Sequence, residues 1–446
     1  MNKMIPGLAV HKGHWLWKSA FQIQKDPIGF FGENAKRYGD TFYASFPAAN
    51  VLLSANPGFI KQVLQSNQKN YTKDRGYDQL ALLLGKGLVT SRGEFWKKQR
   101  RIAQPTFHKK NLSLLFEAMR EVARVYLEEL HAKRGQVLDI SEEMMRLTAR
   151  IALKSLFSVD QGGDLKEIYE SFSFAQEYVA HRAMNPLNIP LSHLNGRHRR
   201  FLKHKKVLDQ LIHQFIEDRQ KSGESRPDFL QMLLDARYED NGEPMSPQQV
   251  LDELVTIFSA GHETSSNGLT WTLYLLAQHP KVLEKLKKEV QAVVGEGIPS
   301  FEQLGQLQYT RQVIEEGMRV YPPVWSVSRV AIEQDEWAGH PIKKGTVVIL
   351  LIYHLHRDPA LWESAETFDP DRFTSERVKS RPNHHYLPFG AGPRMCIGNH
   401  FALMEMQLVL PLLIRDFGYE LLQDQKILLD PMVTLRPRYG IKMKIN

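Results

Sequence analysis

The sequence predicts a mainly α-helical protein with a minor β region (α+β). Helical periodicity runs through most of the chain, with clear amphipathic stretches at residues 114–131 and 207–219. Strand-like segments, rich in β-branched and aromatic residues, are few and short. They lie at residues 41–46, 51–54 and 345–351.

The chain is expected to form a single large domain. Its 446 residues are enough for a large hydrophobic core, and 42% apolar with 24% charged residues is ordinary for a globular protein. No internal repeat and no long Pro/Gly-rich linker interrupts the sequence. We therefore predict a lead-in segment at residues 1–29 and one continuous domain at residues 30–446.

Charge and cysteine content exclude several function classes. The net charge of +8 is not accompanied by aromatic residues interleaved with basic ones, so nucleic-acid binding is not expected. A single cysteine excludes an internal disulfide and suits a reducing compartment. The N-terminus has no apolar run long enough for a signal core or a membrane span, so we expect a cytoplasmic protein or one whose N-terminal anchor has been removed. We also expect a monomer.

Membrane contact is expected to be peripheral at most. The apolar segment at residues 185–191 precedes a basic cluster at residues 197–206. Such a pair could contact an anionic membrane surface. An ordinary mobile lid is the favoured interpretation of the same segment.

A long helix is predicted to begin after Ser246. This serine is a suitable N-cap, Pro247 suits the first helical position, and Gln249 completes a capping box. No further proline occurs before Pro280, which predicts a buried helix of about 30 residues. Its middle reads AGHETS at residues 260–265, and polar groups inside a buried helix are costly unless they serve a purpose.

The only cysteine, Cys396, lies in a glycine-rich loop. Residues 389–398 read FGAGPRMCIG and are followed by good helix-forming sequence at residues 399–410. The three glycines and the proline predict a tight irregular turn, and the helix N-terminus behind it favours a thiolate. No other cysteine is available for zinc or an iron–sulfur cluster, so haem iron with one axial thiolate fits best.

The pattern F-G-x-G-x-R-x-C-x-G resembles the haem-binding signature of the cytochrome P-450 superfamily, and the chain fills every fixed position. The resemblance covers residues 30–446 and is to a soluble, bacterial-type member. It implies the cytochrome P-450 fold, with haem b between the long central helix and the cysteine loop. The implied function is a haem-thiolate monooxygenase that inserts one oxygen atom from O2 into a small lipophilic substrate by hydroxylation, epoxidation or dealkylation.

The resemblance also implies roles for particular residues. Cys396 would be the iron ligand, and Thr264 with Glu263 would be the catalytic pair that manages protons. His262, between the two motif halves, is expected to be a surface or partner-facing residue. Without the resemblance, the same helix segment would be a packing notch with a back-bonded threonine. The other residues implied at the haem are Trp96, Arg100, Ala260, Gly261, Arg329, Phe389, Arg394 and Gly398.

A structural cluster and a substrate pocket follow from the same correspondence. Glu316, Arg319 and Arg372 would form a Glu–Arg–Arg cluster that locks the cysteine loop against the helical core. The substrate would meet mainly apolar residues, including part of the segment 432–434, and its identity is left open. The residues predicted to line the pocket are Tyr77, Leu80, Leu84, Val255, Phe258, Ser259, Val324, Trp325, Val327 and Val433.

Electrons are expected from a separate protein. No G-x-G-x-x-G opens a βαβ unit, which argues against a built-in nicotinamide or flavin domain. A ferredoxin or flavodoxin with its reductase would dock on a basic face at Lys97, Lys98 and Arg101. Two alternatives remain: a haem-thiolate peroxygenase or isomerase that needs no external electrons, and a non-catalytic haem-binding sensor. The Glu263–Thr264 pair argues against the first, and a sensor would need no proton relay.

Overall fold

The computed structural model describes residues 10–12, 22–23, 25–45, 50–159, 165–184 and 189–446. Most of these residues are helical, so the predicted fold class is confirmed. The α-helices are α1 (Pro27–Tyr38), α2 (Pro57–Lys61), α3 (Arg75–Leu84), α4 (Gly93–Ala103), α5 (Lys109–His131), α6 (Ile140–Phe157), α7 (Leu165–Met184), α8 (Ile189–Leu194), α9 (Arg197–Ser222), α10 (Phe229–Asp235), α11 (Pro247–Gln278), α12 (Pro280–Val293), α13 (Gln308–Val320), α14 (Ile352–Leu355), α15 (Ser375–Ser380) and α16 (Asn399–Asp416).

Short strands make up the minor β region. They form one six-stranded sheet in the order β1-β2-β3-β9-β6-β4, one three-stranded sheet in the order β10-β13-β5, and the pairs β7-β8 and β11-β12. Their bounds are β1 (Val10–Lys12), β2 (Thr41–Ser45), β3 (Asn50–Ser54), β4 (Tyr71–Thr72), β5 (Val137–Asp139), β6 (Val327–Ala331), β7 (Asp335–Trp337), β8 (His340–Ile342), β9 (Val347–Leu350), β10 (Tyr419–Leu421), β11 (Leu429–Pro431), β12 (Leu435–Pro437) and β13 (Lys442–Ile445).

Contacts between residues divide the chain into two compact units. The first comprises Met1–Asp78, Arg319–Thr367 and Ser375–Cys396. The second comprises Gln79–Met318, Phe368–Thr374 and Ile397–Asn446. The six-stranded sheet and the cysteine loop up to Cys396 belong to the first unit, and α11 belongs to the second.

The three predicted strands meet at the centre of the six-stranded sheet. β2 pairs with β3 in antiparallel register, and β3 runs parallel to β9. Phe42, Leu52 and Val348 are fully buried, as expected for apolar residues of a central strand. The predicted strand pattern is therefore correct, although Phe46 lies outside the described residues.

Helix α11 is the buried centre of the second unit. It spans 32 residues, and Ser246 caps it by accepting a hydrogen bond from the backbone N–H of Gln249. The predicted capping box is only half correct. The Gln249 side chain donates to the Glu253 carboxylate at 2.9 Å and to the carbonyl of Lys86 at 3.3 Å, because these buried acceptors are within its reach.

Both predicted amphipathic stretches lie inside helices. Residues 114–131 are part of α5, and residues 207–219 are part of α9. Helix α9 begins at Arg197, ten residues before the apolar pattern, and so includes the basic segment at residues 197–206. Charged residues suit an exposed helix face, so periodicity alone could not fix this boundary.

Two predicted segments fall largely outside the described residues. Within the lead-in at residues 1–29, the structure describes only residues 10–12, 22–23 and 25–29. Residues 185–188 of the apolar segment are likewise not described. Among the residues that are described, no helix is long and apolar enough to cross a bilayer.

Candidate active site

The cysteine loop closes on itself through backbone hydrogen bonds. The N–H of Gly390 donates to the carbonyl of Leu387 at 3.1 Å, and the N–H of Cys396 donates to the carbonyl of Phe389 at 2.9 Å. Between them lies a single 3-10 turn at Gly392–Arg394. These bonds fix the direction in which the backbone presents Cys396.

Gly392 is required by a close backbone contact. Its φ of +68° lies in the left-handed region, and a Cβ there would sit 2.0 Å from the carbonyl oxygen of Leu64. No L side chain can occupy that space without moving the backbone of the neighbouring segment. The loop therefore packs tightly against the helical turn Gln62–Ser66.

Cys396 is exposed and lies three residues before the first residue of α16, Asn399. Gly398 is the N-cap of that helix, so the first N–H groups of α16 point back toward the loop. An accessible sulfur in this position favours the thiolate form. One thiolate supplies one ligand, so a metal bound here must bring its remaining ligands, as haem iron does.

A hydrogen-bonded chain supports the loop from within the first unit. Arg319 is fully buried and donates to the carbonyls of His356, Ala365 and Thr367 at 2.7–3.0 Å. The ring Nε2 of His356 accepts a 2.8 Å hydrogen bond from the N–H of Leu387. The carbonyl of Leu387 in turn accepts a hydrogen bond from the N–H of Gly390. Arg319 is thus connected to the cysteine loop through His356 and Leu387, which fits its predicted structural role.

Glu316 and Arg372 form an ion pair in the second unit. Glu316 is fully buried, and its Oε1 lies 3.5 Å from Arg372 Nε. The same oxygen accepts a 2.8 Å hydrogen bond from the backbone N–H of Asp369. A buried carboxylate with these partners holds the segment around Pro370–Phe373 in place.

The middle of α11 exposes one narrow face. Ala260 is exposed and Gly261 and Thr264 are half-buried, whereas residues 250–259 are buried. A Cβ added at Gly261 would meet only Leu156 Cδ1, at 3.9 Å, so the protein itself does not require glycine there. Small residues on an accessible face of a buried helix fit the close approach of a flat group such as a porphyrin.

Thr264 is back-bonded to its own helix. Its hydroxyl donates to the carbonyl of Ala260 at 2.8 Å. A packing notch and an oxygen-activation site both predict this bond, so the bond does not separate them. The accessibility of the Ala260–Thr264 face favours the second interpretation, because a packing notch would be covered by protein.

Glu263 is buried and points away from solvent. Its Oε2 accepts a 2.6 Å hydrogen bond from Gln176 Nε2, and its Oε1 accepts a 2.7 Å hydrogen bond from the Thr434 hydroxyl. Burial raises the pKa of this carboxyl, while Thr434, Arg436 and Gln176 lower it. A carboxyl whose proton affinity is raised by burial is suited to taking up and releasing protons.

His262 corrects the prediction of a surface residue. It is buried, stacks on Phe258 with 4.6 Å between ring centroids, and meets Phe172 edge-on at 5.1 Å. Its Nδ1 lies 2.6 Å from the carbonyl of Phe258. Burial lowers the pKa of His262 to about 4, so it is a neutral packing residue near neutral pH.

Comparison with known proteins identifies the family. A family model described as Cytochrome P450 matches residues 8–445. The chain belongs to the cytochrome P450 family.

Three similar proteins illustrate its relatives. The chain is 32% identical to cyclooctat-9-en-7-ol 5-monooxygenase of Streptomyces melanosporofaciens over 91% of this chain and 86% of the relative. It is 32% identical to a cytokinin hydroxylase of Arabidopsis thaliana, over 92% and 82%. It is 30% identical to Protein LUTEIN DEFICIENT 5, chloroplastic, of Arabidopsis thaliana, over 92% and 72%.

Family and relatives confirm the predicted fold and reaction class. This protein is a cytochrome P450 monooxygenase with a haem cofactor, and its reaction uses an organic substrate, O2 and a redox partner.

The predicted haem-propionate residues of the P450 occupy different environments. Trp96 is buried and Arg100 is half-buried on α4. Arg329 is almost fully buried on β6, where it donates to the carbonyl of Ser328 at 2.8 Å and to the Tyr77 hydroxyl at 3.4 Å. Arg394 is half-buried in the cysteine loop, as is Phe389.

The residues predicted to line the substrate pocket occupy different environments, and only three of them belong to α11. Val255 and Phe258 line a small apolar cavity together with side chains of α6, α7 and α9. Ser259 accepts a hydrogen bond from Gln176 at 3.2 Å. Of the remaining candidates, Leu84 and Trp325 are buried, Val433 is 40% exposed, and Tyr77, Leu80, Val324 and Val327 are half-buried.

The predicted docking face is neutralised by acidic residues of the same chain. Lys97 pairs with Glu94 at 2.5 Å, Lys98 pairs with Asp240, and Arg101 pairs with Glu239 at 3.0 Å. All six side chains are exposed, so salt screens these pairs. The P450 therefore presents three cations and three carboxylates here, rather than the uniformly basic surface that the local sequence predicts.

Sequence reasoning missed Gln176 and Thr434 beside Glu263, and also Glu405 on α16. Gln176 carries no sequence signal, because a glutamine on a helix is usually an ordinary surface residue. Thr434 fell inside the segment predicted for the substrate pocket, without a role of its own. Glu405 could have been noticed as an acidic residue in the apolar middle of α16, where it is fully buried.

Proposed function

We propose that Cys396 is the axial ligand of haem b and that the accessible face of α11 is where O2 is activated. The observation that carries the proposal is the accessible thiol of Cys396. It lies in a loop fixed by Gly392 and placed before the N-terminus of α16. Haem supplies the chemistry of O2 activation, and a thiolate ligand favours cleavage of the O–O bond.

The chain's own residues would control protons and position the cofactor. Thr264 presents a hydroxyl on the accessible face, and Glu263 holds a buried carboxyl in the adjacent position. Reduction of O2 requires protons in a pocket from which bulk water is excluded, which is the work of this pair. Trp96, Arg100, Arg329 and Arg394 would offer N–H donors to haem propionates. Ala260, Gly261, Phe389 and Gly398 are the other residues that would hold the cofactor.

The alternative is a haem-thiolate peroxygenase or isomerase. Such an enzyme takes no external electrons and delivers no protons to O2, so it has less need of the Glu263 carboxyl next to Thr264 in the chain. The Glu263–Thr264 pair therefore favours the monooxygenase. A non-catalytic haem sensor would also have no use for it.

The finer proposals concern substrate, partner and location. We infer a small lipophilic substrate, and cyclooctat-9-en-7-ol is the first compound to test because a relative is named for its oxidation. A ferredoxin or flavodoxin with its reductase would supply electrons. We also propose that the protein is a cytoplasmic monomer with one catalytic domain at residues 30–446, without nucleic-acid binding and with peripheral membrane contact at most.

The deciding experiment is a reduced carbonyl spectrum of the purified protein and of Cys396→His. The wild type is expected to show the red-shifted Soret band of a thiolate-ligated haem, and the variant to lose it. Turnover with O2, reduced ferredoxin and the candidate substrate then separates the monooxygenase from the alternatives. A thiolate band that survives in Cys396→His, or product formed with peroxide only, would contradict the proposal.

A further inference from the structure

Glu263 is held from two sides by neutral donors. Gln176 on α7 reaches one carboxylate oxygen at 2.6 Å, and Thr434, just before β12, reaches the other at 2.7 Å. The two donors lie 87 and 171 residues from Glu263 in sequence. A carboxylate with both oxygens engaged by separate elements has a fixed orientation.

Each of the two donors is itself oriented. Asn267, one turn after Glu263 on α11, donates through Nδ2 to the Thr434 hydroxyl oxygen at 3.0 Å. Because that oxygen accepts the amide proton, its own hydrogen is free to point at Glu263. Gln176 Nε2 also lies 3.2 Å from the Ser259 hydroxyl, which faces the same side of α11.

Charged groups near Glu263 act at longer range. The field of Arg436 on β12 lowers the Glu263 pKa, and Arg436 is itself paired with Asp430 on β11 at 2.8 Å. On α7, His181 interacts electrostatically with Asp430 and Arg436 and lies 3.6 Å from Glu177. Gln176 and Thr434 are thus the groups that contact the carboxylate directly.

We infer that Gln176 and Thr434 are positioning residues that set the orientation and proton affinity of Glu263. This inference deepens the proposed function and rests on it for its catalytic meaning. Both donors favour the carboxylate form, since a hydrogen bond to an ionised oxygen is stronger than one to a neutral acid. Protonation of either Glu263 oxygen weakens the hydrogen bond that this oxygen accepts. Proton uptake therefore makes the orientation of the Glu263 side chain less fixed.

The inference is tested first without turnover, by infrared spectroscopy of the haem-loaded protein. The C=O band of the protonated acid is assigned to Glu263 by its loss in Glu263→Gln, and its intensity is followed with pH. Thr434→Val and Gln176→Leu are each expected to raise the midpoint by about one pH unit, because each removes one charge-assisted hydrogen bond. Thr434→Ser keeps the hydroxyl and should restore the wild-type midpoint.

Matched controls come from buried threonine and glutamine residues elsewhere. Thr272→Val removes a hydroxyl that donates to the carbonyl of Gly268 within α11, and Gln407→Leu removes an amide that donates to the carbonyl of Leu304. Neither should move the midpoint. An unchanged midpoint in both Thr434→Val and Gln176→Leu overturns the inference, as does a Thr434→Ser variant that behaves like Thr434→Val.

Turnover then separates this inference from the proposed function. The pH profile of product formed per electron consumed should shift with the infrared midpoint, while the substrate KM stays within about twofold. If the midpoint shifts but no variant and no wild-type sample forms product with any electron donor, the positioning role stands and the proposed role of the α11 face in O2 activation fails. If product forms and its pH profile ignores the infrared midpoint, the positioning role in catalysis is wrong.

Discussion

The cysteine loop and the middle of α11 carry the two halves of the proposed chemistry and are built in different ways. The loop is held by backbone bonds between near neighbours, such as Cys396 to Phe389, and by the close approach of Gly392 to Leu64. The middle of α11 is regular helix, and its Glu263 carboxyl accepts hydrogen bonds from side chains far away in sequence, Gln176 and Thr434.

This difference determines which substitutions each region can tolerate. In the loop, the backbone is the functional element, so changes of glycine should act through folding. In α11, most side-chain substitutions should leave the helix folded. Their effect should fall on proton transfer instead.

Gly392→Ala should be the most damaging change. It forces a left-handed φ of +68° on alanine and places Cβ 2.0 Å from the Leu64 carbonyl oxygen, which together should cost more than about 3 kcal/mol. Gly390→Ala is the matched control, because its φ is +70° but no atom lies within 4 Å of the added Cβ, so only about 1–2 kcal/mol is expected. Denaturant unfolding and the haem content per polypeptide measure both effects, and equal losses would contradict the backbone argument.

Glu405 should make stability depend on pH. Burial raises its pKa from 4.5 to about 8, with a smaller opposing effect from the Ser265 hydroxyl. Between these values the unfolded chain is ionised at this residue while the folded protein keeps its proton, so stability falls as pH rises through the window, by about 1.4 kcal/mol per unit.

The test compares the wild type with Glu405→Gln in denaturant unfolding from pH 5 to pH 9. The variant carries no titrating proton and should lack that fall in stability. Glu420→Gln, at an exposed position of β10, is the matched control and should keep it. A wild-type slope that persists in Glu405→Gln would assign the pH dependence to other groups.

Thr264→Ala should uncouple electron use from product formation. The hydroxyl lies on the accessible face of α11, so its removal should leave folding and substrate affinity nearly unchanged. Product formed per reduced nicotinamide consumed is expected to fall roughly tenfold, about 1.4 kcal/mol in relative barrier height, with peroxide rising in parallel. Thr272→Ala, buried on the same helix, should leave coupling intact; unchanged coupling in Thr264→Ala would return this threonine to a packing role.

Charge reversal at Lys97 and Lys98 should have the smallest effect. Both lysines are exposed and already paired with carboxylates of the same chain, so the local field that they present to a partner is weak. Reduction by ferredoxin in stopped flow should slow by less than about threefold at low salt and not at all at high salt. Lys203→Glu with Lys206→Glu makes the same change in net charge on α9 and serves as the control; a much larger effect at Lys97 and Lys98 would make this face the docking site.

Features that depend on local geometry were predictable from the residues alone. The strands at the centre of the six-stranded sheet, the capped start of α11 at Ser246 and the turn around Cys396 all follow from residue types that constrain their own backbone. Such residues can be recognised from sequence because each constrains the backbone or the chemistry at its own position. Examples are glycine at a left-handed φ, proline in a first helical turn and the single cysteine. The family signature is of the same kind.

Features that depend on partners distant in sequence could be found only in the folded protein. His262 was expected at the surface and is buried against Phe172, because the face of α11 that it occupies packs on α7. Lys98 is part of the basic face that the local sequence predicts, but in the folded protein it pairs with Asp240. Neither Gln176 nor Thr434 could be assigned to Glu263 from sequence, since a hydrogen bond leaves no trace in the chain when its donor and acceptor are brought together only by the fold.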